Sequence, residues 1–139
     1  MNTSLERILR DQREELMTID YSQFITRYEE SQIDLDSKLA QIVIGVRRCG
    51  KSTICQKVLV ESNTHFAYVN FDDEKLSSLQ VDELNEVLET LYRIYGSFTH
   101  LFMDEIQNVP KWHLFVNRLL RQGIRIILDE TRDYQEERP

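Results

Sequence analysis

"IVIGVRRCGKSTICQ", residues 42–56, passes from an apolar run through Gly45, two arginines and a second glycine, Gly50, into Lys51 and Ser52. The apolar run reads as a strand, and the stretch from Lys51 onward as a helix that turns Ile54, Val58 and Leu59 inward. Gly45, four residues, Gly50, Lys51 and Ser52 then satisfy the phosphate-loop pattern in its strand-to-helix setting. The chemistry follows from the residue types. Two glycines let the backbone turn tightly and aim its N–H groups at an anion, and the helix that follows adds the positive end of its dipole. Lys51 is expected to reach the terminal phosphates of a nucleotide, and the Ser52 hydroxyl offers oxygen to Mg2+, a hard ion that prefers oxygen ligands. The expected nucleotide-binding set is Gly45, Arg48, Cys49, Gly50, Lys51, Ser52 and Thr53.

Working outward, the loop's strand is "LAQIVI", 39–44, whose apolar character suits a strand covered on both faces of a parallel sheet. A second strand, "HFAYVNF", ends in the polar stop "DDEKL". "VDELNEVLETLYRIYG" carries Leu84, Val87, Leu88, Leu91 and Ile94 at helical steps, with Asp82 as the expected cap and Gly96 as the stop. "HLFM" reads as a third strand, and "PKWHLFVNRLLRQG" as a helix between Pro110 and Gly123. "IRIIL", 124–128, reads as a fourth strand. Such alternation implies right-handed crossovers and a parallel sheet with helices on both faces, an α/β fold of the phosphate-loop NTPase type. Two amphipathic helices are expected ahead of it, from Leu5, Ile8, Leu9 and Leu16, and from Tyr21, Phe24, Ile25 and Tyr28. The organisation expected is therefore helices and linker over 1–37, a nucleotide-binding core over 38–128, and a charged, solvated tail over 129–139.

A phosphate loop needs acids to become an ATPase, and "HLFMDEIQ" supplies them where the third strand ends. Asp104 is expected to hold the magnesium ion's water shell, and Glu105 to orient and polarise the attacking water as the catalytic residue. Both would stand at carboxyl ends of parallel strands, where such sheets bind ligands.

Composition narrows the partners. The chain has 139 residues, a net charge of −7, 41% hydrophobic and 29% charged residues, the profile of a folded globular domain. The acidic balance disfavours non-specific attachment to nucleic acid. No apolar run approaches a membrane span, and the charged N-terminus lacks the apolar centre of a secretory signal, so a cytoplasmic location is the expectation. Two cysteines and three scattered histidines give neither a disulfide framework nor metal-ligand spacing. Arg47 and Arg48 either contact phosphate or a neighbouring subunit or stay solvated. Cys49 reads as a tolerated small residue of the loop, Asp72 and Asp73 as a strand-terminating turn, and Trp112 with Phe115, Val116 and Leu119 as a core-facing stripe.

"GVRRCGKST", "YVNFDDEKL" and "LFMDEIQNVPKWHLFVNRLLRQGIRIIL" together resemble the prokaryotic ATPases of the AAA type that carry a DUF4143 region after the ATPase domain. The resemblance covers residues 38 to 128. It implies ATP and Mg2+ as cofactors, with Lys51 on phosphate, Ser52 and Asp104 serving the metal, and Glu105 activating water. It also implies a sheet in which the acidic strand is outermost but one, "IRIIL" lies next to it and the loop-bearing strand lies beyond. After the strand matching "IRIIL" the family runs into a small polar "TGS"-like sensor of the terminal phosphate, whereas here the chain reads "DETRDYQEERP". Thr131 is only a weak substitute. The expectation is the front part of a longer ATPase that binds Mg-ATP with slow or no hydrolysis. Its loop-bearing strand would be a sheet edge, covered in part by the N-terminal helices or by self-association with another chain. The alternative is a non-catalytic remnant or interaction module whose loop is vestigial.

Overall fold

The computed structural model describes residues 3–18, 33–45, 51–76 and 78–131. Its elements alternate as the apolar periodicities require. Helix α1 spans Thr3–Met17, strand β1 Gln41–Gly45, α2 Lys51–Glu61, β2 Phe66–Asn70, α3 Leu84–Tyr95, β3 His100–Asp104, α4 Trp112–Arg121 and β4 Arg125–Thr131. The four strands form one sheet in the order β1-β4-β3-β2, every pair parallel, which is the order the resemblance implies.

Strand alternation divides the core into two. Ala67, Val69, Leu101, Met103, Ile126 and Leu128 face one side, where Leu84, Val87 and Leu91 of α3 and Phe115, Val116 and Leu119 of α4 cover them. Tyr68, Phe102 and Ile127 face the other, against Cys55 and Leu59 of α2. Burial therefore falls on Ile54, Cys55 and Leu59 of that helix, with Val58 only partly buried. Gly96 ends α3 with φ 73°, a conformation that glycine adopts without strain, and its N–H donates to the Tyr92 carbonyl. The expected cap at Asp82 is replaced by a 3-10 turn, Val81–Glu83, in which the Gln80 N–H donates to Glu83 Oε1.

Three expectations are corrected. Strand β1 is, among the described residues, the sheet edge that the resemblance implies, but it is not covered on both faces as its apolar character suggested: Ile42 stays 46% exposed although it is in register with the fully buried Leu128. Helix α1 does not shield that edge, because it packs against β2 and α3 at the opposite side of the sheet. There the Gln12 side chain brackets Asn70, its Nε2 donating to the Asn70 carbonyl and its Oε1 accepting from the Asn70 N–H, both at 3.0 Å. The second expected helix, residues 21 to 28, lies outside the described residues. Finally, the solvated tail does not begin at residue 129. Pairing with β3 on one side and β1 on the other carries β4 on to Thr131, and Asp129 is wholly buried. Residues 132–139 lie outside the described residues.

Candidate functional site

The carboxyl ends of the strands hold the site. Gly45 is the last residue of β1 and Lys51 the first of α2, so residues 46–50 form the connection between strand and helix. Arg48, Cys49 and Gly50 fall in that connection, outside the described residues, while Lys51, Ser52 and Thr53 make the first turn of α2. Residues 46–50 separate that turn from the carboxyl end of β1, so α2 begins on the carboxyl side of the sheet. A helix N-terminus there directs its free N–H groups and positive dipole end toward the strand tips.

Asp104 ends β3 and is 5% exposed. Alternation puts it on the same face as Phe102, the face that α2 covers. Its carboxylate Oδ2 accepts from the Tyr68 hydroxyl at 3.1 Å, and its carbonyl accepts from the Phe71 N–H at 2.9 Å. The two bonds anchor Asp104 to β2 and to the residue that follows it. Burial, and then the charge of Asp104, push the Tyr68 phenol far above its ordinary range, so Tyr68 remains the donor of that pair.

Glu105 leaves the strand. Its φ of 59° and ψ of 45° lie in the left-handed region, which costs a side-chain-bearing residue about 1–2 kcal/mol. The turn is held at both ends: the Glu105 N–H donates to Asp129 Oδ1 at 2.9 Å and to the Asp129 carbonyl at 3.1 Å, and Gln107 Nε2 donates to Glu105 Oε1 at 3.4 Å. A 3-10 turn, Ile106–Asn108, follows, and Asn108 Nδ2 donates back to the Phe71 carbonyl.

Asp129 is the residue that sequence reasoning missed. It pairs in register with Asp104 on one side and Val43 on the other, which places it between the acidic strand and the strand leading into the loop. Asp104, Glu105 and Asp129 each bring a carboxylate oxygen within 4.8 Å of the others. An all-oxygen, anionic set of this kind suits a hard divalent cation such as Mg2+. The one available signal was that "DET" directly continues an apolar strand, as "DE" continues "HLFM". Thr131, the weak sensor candidate, pairs in register with Gly45 at the mouth of the connection.

The all-parallel sheet in the order β1-β4-β3-β2, with helices packed on it, defines an α/β domain of the phosphate-loop NTPase type. The chain belongs to a family of AAA domains, whose model matches residues 37–136. Members of that family are ATPase-type proteins that generally bind ATP with Mg2+. The chain is also similar to the uncharacterized protein MJ1544 of Methanocaldococcus jannaschii, 38% identical over 101 residues. That match takes in 70% of this chain and spans 22% of the relative's length. Among the described residues, no helix is long and apolar enough to cross a membrane.

Proposed function

We propose that the chain binds Mg-ATP through a Walker A loop, Gly45 to Thr53, and the Walker B acids Asp104 and Glu105, as the nucleotide-binding domain of an AAA-type ATPase with slow or no hydrolysis. The observation that carries this reading is the register of the strand ends. Asp104 and Asp129 stand side by side on the sheet face under α2, next to the strand whose continuation is the loop. Backbone N–H groups of the loop and Lys51 would bind the phosphates, while Ser52 and Asp104 would hold Mg2+. Bound there, Mg2+ would supply charge neutralisation to the phosphates. Glu105, turned out of its strand, is the group available to orient a water and take its proton.

Slow turnover is expected because the family resemblance places a small polar "TGS"-like sensor of the terminal phosphate after the fourth strand, where this chain reads "DET" with Thr131 as only a weak substitute. Nucleotide binding and hydrolysis are thus separable here.

Calorimetric titration with Mg-ATP tests the reading. Lys51→Ala removes a charge-assisted contact and is expected to weaken affinity roughly ten- to a hundredfold, about 1.5–3 kcal/mol. Equal affinity in the wild type and the variant, or none in either, would favour the alternative of an interaction module with a vestigial loop.

A further inference from the structure

Asp129 is an expensive residue for its position. It is fully buried, it follows the apolar run Ile126, Ile127 and Leu128, and it lies within reach of two other carboxylates. An aliphatic side chain at that place in β4 would avoid the desolvation of a charge. What the carboxylate does provide is a second acceptor for the Glu105 N–H, in addition to the backbone carbonyl of Asp129 itself. Glu105 adopts the left-handed conformation at that hydrogen bond, and the turn brings its carboxylate round to those of Asp104 and Asp129. Backbone strain held by surrounding structure is characteristic of sites where geometry matters for function.

We propose that Asp129 is a positioning residue for Glu105: by holding the Glu105 N–H at the end of β3 it fixes the left-handed turn that sets the Glu105 carboxylate beside Asp104. The role rests on the nucleotide-binding reading of the site. In hydrolysis the water oxygen bonds to the terminal phosphorus, and the bond from that phosphorus to the bridging oxygen breaks, leaving its electron pair on the diphosphate. The water proton passes to Glu105 and from there to solvent. Asp129 touches none of the reacting atoms and acts through the placement of the acceptor.

Three measurements on the full chain, as wild type, Asp129→Ala and Asp129→Asn, test this. Asn retains an oxygen acceptor for the Glu105 N–H and Ala does not. In nucleotide-free protein, amide exchange followed by NMR should show Glu105 exchanging about tenfold faster or more in Asp129→Ala, but not in Asp129→Asn, with Met103 and Leu128 unchanged in both. Single-turnover hydrolysis, with protein in excess of nucleotide and above the Mg-ATP dissociation constant that calorimetry gives for each protein, should fall about tenfold or more only in Asp129→Ala. An accelerated exchange shared by all β4 amides, equal hydrolysis in Asp129→Ala and wild type, or an equal loss in both variants would overturn the positioning role. So would a wild type that binds Mg-ATP without hydrolysing it, an outcome that leaves the nucleotide-binding reading standing. A wild type that fails to bind Mg-ATP removes both.

Discussion

The Tyr68 hydroxyl donates to Asp104 Oδ2 across 3.1 Å, joining the middle of β2 to the acid that ends β3. Both residues are nearly inaccessible to solvent, at 6% and 5% exposure. The phenol thus satisfies a carboxylate oxygen that would otherwise be costly to bury, and the carboxylate in turn keeps the phenol protonated.

That reciprocity sets an alkaline limit to stability. An unfolded tyrosine loses its proton near pH 10, whereas burial and the Asp104 charge hold the Tyr68 proton on the folded chain well above that. Above pH 10 the unfolded state therefore binds fewer protons than the folded one, and stability falls as pH rises. The contribution is fully present below the unfolded value. Tyr68 should account for a slope of about 1.4 kcal/mol per pH unit beyond pH 10. Burial also raises Tyr95, to about 12, and its effect is common to the wild type and a Tyr68 variant. Urea unfolding at about pH 8 and about pH 11 should show Tyr68→Phe losing less stability than wild type between the two. Equal losses would place the phenol's ionisation at its ordinary value.

Gln12 imitates a neighbouring strand. Its amide gives the β2 edge one donor and one acceptor at Asn70, and the side chain is itself only 6% exposed. Gln12→Met keeps the volume and removes both hydrogen bonds. We expect a loss of about 1–3 kcal/mol in urea unfolding, since the backbone groups of Asn70 lose their partners under α1. A change within about 0.5 kcal/mol would show that water replaces the amide without penalty.

The opposite edge is different in kind. Among the described residues no strand pairs with the far side of β1, and Ile42 there is 46% exposed, with Leu39 at 74% just before the strand. An edge with free backbone groups and an exposed β-branched side chain invites pairing with another chain. Sedimentation velocity should detect concentration-dependent self-association of the wild type, reduced in Ile42→Lys, because a charge at the edge must be desolvated on pairing. Removal of α1 is expected to act on β2 instead, given its packing there. Identical sedimentation of wild type and Ile42→Lys as monomers would count against an adhesive edge.

The sequence by itself determined the order of elements, the phosphate-loop spacing from Gly45 to Ser52 and the acids at 104 and 105. These are local properties: a period of two or near four, a glycine at a turn, a charge after an apolar run. The core-facing stripes of α3 and α4 were legible for the same reason, with only the capping of α3 differing in detail. What tertiary structure alone decided was the fate of residues whose partners are distant in the chain. Asp129 reads as the start of a solvated tail because its successors are charged, yet insertion of β4 between β1 and β3 extends the strand and buries it. Glu105 reads as the end of a strand, but its left-handed turn exists because an acceptor 24 residues later lies beside its N–H. Gln12 reads as a polar position on a helix, and it becomes an edge cap only when α1 lies along β2, 58 residues away. Local patterns select elements by which face seeks burial. Sheet order then selects which charges meet, through hydrogen-bonded neighbours that no local period encodes.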